Sequence, residues 1–159
     1  MNPAYLHLVV NHVPIIGIGF VILLIIIGLV RKSGEIINVS LIFVVFLALF
    51  TIVVHQTGES AEEFVKDKPG FSEELVLEHD YAADLAFIFS EGVGVLALIA
   101  LASKRFKKKY ANTLVAITLI GLIVTGALMI RTANLGGKIN HPEIRSDIRV
   151  VGGVVGYYL

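Results

Sequence analysis

The chain has 159 residues, enough for a single domain spanning 1–159; 56% are hydrophobic, 16% are charged and the mean hydropathy is +0.84. Soluble domains carry about 25% charged residues, so the composition points to a lipid bilayer as the surrounding medium. A formal net charge of zero argues against a basic face for nucleic acid. The absence of cysteine excludes disulfides, thiolate metal sites, cysteine-held iron–sulfur clusters and cysteine-attached c-type heme.

Asn2-Pro3 reads as a helix start, with Asn as cap and Pro in the first helical position. No basic n-region precedes the first apolar run and no small-residue cleavage site follows it, so this segment is expected to remain as a permanent helix. A spanning helix needs about 20 residues, which the stretch 9–30 supplies. Pro14 is expected to kink or break it, because proline lacks the N–H that the helix ladder requires. Arg31-Lys32-Ser33-Gly34 ends the span. The second span is predicted over 36–55, with Gly58 as its stop. Residues 57–78 form an acidic loop in which Ser60-Ala61-Glu62-Glu63 suggests a short capped helix before a turn at Pro69-Gly70. The third span is predicted over 81–102 and the fourth over 111–130. A turn-rich stretch at Thr132–Gly137 and an apolar tail, together 131–159, complete the chain.

Orientation follows from lysine and arginine in short loops. Residues 31–35 and 103–109 hold seven of the thirteen basic side chains, so these two loops are expected on the cytoplasmic side. Both termini, the 57–78 loop and the 131–159 tail are then expected on the non-cytoplasmic side. Short loops favour antiparallel neighbours, giving an all-α, transmembrane up-down four-helix bundle. Gly17, Gly19, Gly28, Gly92, Gly94, Gly121 and Gly126 are candidates for close helix approach.

On this topology all five histidines, His7, His12, His55, His79 and His141, fall at the end opposite the basic loops. Four segments each supplying one histidine at similar depth is how a bundle encloses a metal or cofactor. Two ligand chemistries compete. Bis-histidine heme b pairs His12 with His79, or His55 with His141, across the diagonals, with Arg131 and Lys138 near the propionates and Phe43, Phe46, Phe87 and Phe89 around the macrocycle. The alternative is a non-heme Zn, Cu or Fe site of His12, His55, His79 and His141, with Glu59 four residues from His55 on one helical face. Each histidine taken singly is also at home in a membrane interface, which leaves a cofactor-free structural subunit as a third reading.

Glu91 stands in the third span, where a charge is costly. Asp80, Asp84 and Glu91 share one helical stripe leading inward, a candidate proton path with Thr118 and Thr125 as partners from the fourth helix.

Leu6-His7-Leu8-Val9-Val10-Asn11-His12-Val13-Pro14 resembles the start of a family of small bacterial integral membrane proteins of unknown function, which open with a His-x4-His-x-Pro pattern. Thr57-Gly58-Glu59, His79 and the run from Leu135 through Arg145 resemble further short motifs of close relatives, whereas Leu8 stands where the broader family often has proline. The resemblance implies a bacterial membrane protein with a heme or redox role and assigns it no activity. From the histidines and the topology, the protein is expected to be a multi-pass protein of a bacterial cytoplasmic (inner) membrane that carries electrons, alone or with redox-complex subunits or quinone; its expected partners are these and the lipid bilayer.

Overall fold

The structure is a computed structural model that describes residues 2–66, 71–141, 144–145, 150–151 and 154–155. Its helices are α1 (Pro3–Val10), α2 (His12–Val30), α3 (Gly34–Val65), α4 (Glu73–Arg105) and α5 (Ala111–Asn140). Two residues, Val150–Val151 (β1), pair antiparallel with Val154–Val155 (β2). Taking α1 and α2 together, four helical segments are long and apolar enough to cross a membrane. Consecutive segments pack as neighbours and α5 closes against α2, giving a four-helix bundle.

Asn2 caps α1 as its position suggests, its Oδ1 accepting the Ala4 N–H at 3.0 Å. The break between α1 and α2 falls at Asn11 because Pro14 has no N–H for the Val10 carbonyl. The two basic loops end their helices in the same way. Lys32 and Lys107 each take φ of 50°, and the next residue's N–H donates back to Gly28 or Ser103. This pattern satisfies carbonyls orphaned at a helix end.

The packing suits lipid. Small and medium side chains fill the centre (Val21, Leu41, Val44, Ala97, Ala100, Val115), whereas bulky apolar residues such as Ile16 (69% exposed) and Ile120 (62%) face outward. Buried hydroxyls return to their own helix: Ser40 donates to the Ile36 carbonyl, Thr118 to Leu114 and Thr125 to Gly121. Close approach depends on three glycines above all. A Cβ on Gly17 or Gly94 would lie 2.5 Å from Leu47 or Ala48, and one on Gly121 would lie 2.7 Å from Val93. Gly19 and Gly92 meet nothing within 4 Å and have no such role.

Three predicted boundaries differ in the structure. Gly58 does not stop the second helix: α3 runs on to Val65, so the Ser60 segment is a continuation, with the Ser60 hydroxyl donating back to the Gln56 carbonyl at 3.3 Å rather than capping a new helix. Thr132–Gly137 is not a turn but part of α5. The helix of the third span, α4, likewise begins earlier than its apolar run, at Glu73, with the Ser72 hydroxyl accepting the Leu75 N–H. At 1.5 Å per residue α3 and α4 are each about 50 Å long, against a hydrocarbon layer of about 30 Å. Counting inward from the basic loops, their far ends project several turns beyond the apolar spans. The Pro69-Gly70 turn, Pro142-Glu143, Arg149 and the tail glycines lie outside the described residues.

Candidate functional site

The helix extensions build the site. Because α3 continues through Gly58, α1 has a partner to pack on, and because α5 continues to Asn140, the first turns of α4 do too. His7 on α1 lies against Gly58 of α3; a Cβ there would sit 3.3 Å from its Cε1. His79 on α4 lies against Gly136 of α5, where a Cβ would sit 3.1 Å from its Cε1.

Hydrogen-bond accounting fixes both rings. The Thr57 hydroxyl donates its one proton to the Val54 carbonyl at 2.8 Å, so its contact with His7 Nδ1 at 3.2 Å has the imidazole N–H as donor. His79 Nδ1 lies 3.1 Å from the Thr132 carbonyl, which only accepts, so Nδ1 carries the proton there as well. In both neutral rings Nε2 is left with a lone pair, the form in which imidazole binds a metal.

Both histidines lie beyond the apolar spans yet are largely buried by the extensions. Burial pushes each below the usual histidine range. For His7 the nearby His79 pushes in the same direction and the Val54 carbonyl opposes; for His79 the Thr132 carbonyl opposes. Both rings are therefore neutral at neutral pH. One helical turn from His7, the buried Asn11 Oδ1 has no hydrogen-bond partner among the described residues.

A second cluster lies between α3 and α4. His55 Nε2 donates to Asp84 Oδ1 at 3.0 Å, its ring meets Phe87 edge-on at 4.5 Å, and Glu59 Oε1 is 3.9 Å from Nδ1. Farther out, Asp80 lies beside Glu62. Burial first, then the Glu62 and Asp84 carboxylates, raise Asp80 to about 6, while His55 pulls the other way. Deeper in, Thr51 Oγ1 contacts Glu91 Oε1 at 2.9 Å, Ser90 Oγ at 3.3 Å and the Ala48 carbonyl at 2.6 Å.

The sequence-predicted residues thus separate. His12 is exposed and gives its Nδ1–H to Leu8 of its own helical segment at 3.1 Å. His55 commits Nε2 to Asp84, and His141 is exposed at the C-cap of α5. Arg131 is exposed and Lys138 half-buried at the same end. Phe43, Phe46 and Phe89 face outward; of the four phenylalanines only Phe87 has a described ring contact with a histidine. Thr118 and Thr125 are not the partners of Glu91, since their hydroxyls return to α5 and Thr51 of α3 holds that carboxyl. Among the described residues no three His, Asp or Glu side chains gather as a metal set. The partners of His7, Thr57 and Gly58, fall in the stretch 57–78 that the sequence reads as a loop, so its spacing offers His7 no neighbour. A legible signal for the second cluster was present: Thr51, His55 and Glu59 at four-residue spacing face Asp80, Asp84 and Glu91 at four and seven.

No protein-family model, curated protein or solved structure matches the chain. Fold and site define a multi-pass helical membrane protein with two part-buried imidazoles, His7 and His79, at the end opposite its basic loops.

Proposed function

We propose that the protein holds heme b at its histidine end and carries electrons across that face of a bacterial cytoplasmic membrane, alone or as a subunit that meets quinone or a redox partner. One observation carries this reading. Two largely buried, neutral imidazoles on different helices each give Nδ1–H to a fixed acceptor, retain the Nε2 lone pair and lie flush against a glycine. Those are the requirements of axial ligation, in which an outer hydrogen bond fixes ring and tautomer. Bound heme supplies a one-electron iron couple whose potential its axial ligands tune.

The chain's own groups have defined parts in this reading. Thr57 and the Thr132 carbonyl orient the rings; Gly58 and Gly136 leave room at the ring edges; Asn11 Oδ1 offers a buried acceptor beside His7. Arg131 and Lys138 stand at the same end for the propionates. His7 with His79 ranks ahead of the His12–His79 and His55–His141 pairs, since His12 and His141 are exposed and His55 commits Nε2 to Asp84. The non-heme reading with Zn, Cu or Fe has less support, because Glu59 remains 3.9 Å from His55. With the positive-inside preference the basic loops face the cytoplasm and the heme end faces outward. The N-terminal resemblance to small bacterial membrane proteins fits the same proposal.

The test is a visible spectrum of the detergent-purified protein, expressed with ample heme, before and after dithionite. Sharp b-type bands on reduction support the reading; a colourless, heme-free sample refutes it.

A further inference from the structure

Glu91 is the one ionisable side chain in the apolar parts of the four spans. Between the level of His12, His55 and Asp84 and the basic loops, α2, α3, α4 and α5 carry no other. By helix rise it lies about 10 Å inward of Asp84 and about 20 Å from Lys104, roughly a third of the way through the hydrocarbon layer. Such a position is costly for an isolated carboxylate and marks function in membrane helices.

Its contacts leave Thr51 one proton short. Thr51 has one hydroxyl proton but two strong acceptors, the Ala48 carbonyl at 2.6 Å and Glu91 Oε1 at 2.9 Å. A carbonyl never donates. If Thr51 donates to Ala48, its contact with Glu91 is a hydrogen bond only when the carboxyl is protonated and donates to Thr51. If Glu91 is ionised, Thr51 must turn its proton to Oε1 and leave Ala48 to the helix ladder alone. Two hydroxyl orientations thus match two protonation states with no movement of heavy atoms.

Access is one-sided. Towards the histidine end, one turn of α3 (about 6 Å) separates Thr51 from His55, and the polar line continues through Asp84 to Asp80 and Glu62. Towards the basic end the centre is closed by Leu41, Val44, Ala97 and Ala100, none more than 2% exposed. The group in contact with Glu91 is Thr51 from α3, which also meets Ser90 of α4. The α5 stretch packed beside it holds no ionisable residue before the exposed Arg131. The ionisable groups at the mouth are His55, Glu59, Glu62, Lys66, Asp80 and Asp84.

We propose that Glu91 is a proton-binding site inside the membrane, loaded only from the histidine end through the His55–Asp84 pair, with the Thr51 hydroxyl switching between Ala48 and Glu91 as the proton comes and goes. In loading, the protonated His55–Asp84 pair passes one proton, carried by water entering from that end, to the Glu91 carboxylate. Glu91 becomes the neutral acid, and Thr51 turns its own proton to Ala48. Unloading reverses both moves. No redox step is involved and no heme is required, so the proposal stands apart from the heme reading.

The test is infrared difference spectroscopy of the full chain in sealed vesicles while the pH is changed on one side only. The chain has no cysteine, so labelling a Lys109→Cys variant reports which end faces out. The expected result is a protonated-carboxyl band that follows pH at the histidine end, is missing in Glu91→Gln, is shifted in Thr51→Val and responds several-fold more slowly in His55→Ala. Glu91→Gln keeps the shape of the side chain, and its unfolding temperature checks that the bundle is intact. A band that persists in Glu91→Gln, or that follows pH equally from both sides, overturns the proposal.

Discussion

Two neighbouring glycines of α5 respond differently to the same substitution. Gly136 and Gly137 are both inside the helix, where alanine is worth about 0.8–1.0 kcal/mol more than glycine. At Gly137 an added Cβ meets only Ile144 Cδ1 at 3.9 Å, an ordinary contact, so Gly137→Ala is expected to stabilise by about that amount. At Gly136 the Cβ would lie 3.1 Å from His79 Cε1 and 3.4 Å from Nδ1, so the ring must retreat by a few tenths of an ångström. The Nδ1–H bond to Thr132 already measures 3.1 Å and would stretch towards its limit. Losing most of such a bond costs about 0.5–1.5 kcal/mol, which cancels the gain in helix propensity. Unfolding of the two variants in detergent, followed by circular dichroism, should therefore separate them by about 1 kcal/mol, with Gly136→Ala near the parent. Equal stabilisation of both would refute the placement of His79 against α5.

Other consequences follow from the same geometry. Gly94→Leu must drive α4 away from Ala48 and is expected to cost about 1–3 kcal/mol, whereas Gly92→Leu, two residues earlier and facing open space, should be near neutral; thermal unfolding of the pair checks this. The pH dependence of stability carries two opposed contributions. His7 and His79 are held below 6.5 in the fold, so their packing is fully stabilising above pH 6.5 and weakens as the pH falls through their lowered values. Asp80 is raised from 3.8 to about 6, so its penalty is absent below pH 3.8 and complete above pH 6. Asp80→Asn should accordingly stabilise at pH 7 but not at pH 3.5, a difference that denaturation at the two pH values measures directly.

The four spans were legible because lipid demands uninterrupted apolar runs and leaves few alternatives. The ends were not. Gly58 and the Gly136-Gly137 pair were expected to stop or turn the chain, as glycine does in soluble helices. Here Gly58 and Gly136 admit an imidazole from a neighbouring helix, and the helices pass through them. That misreading hid the partners of His7: with 57–78 taken as loop, nothing stood opposite α1. The pairing of Glu91 with Thr51 rather than Thr118 or Thr125 depends on the rotation of α5 about its axis, which no spacing rule supplies. By contrast, the inward stripe of Asp80, Asp84 and Glu91 follows from helical periodicity alone.

The central claim is that the imidazoles of His7 and His79 form the heme site. It is tested most directly by the heme content per chain, measured as the dithionite-reduced spectrum, of His7→Ala, His79→Ala and His12→Ala beside the parent. The account expects the first two to lose the b-type bands while His12→Ala keeps them. Full heme retention in His79→Ala, or loss in His12→Ala alone, would contradict it.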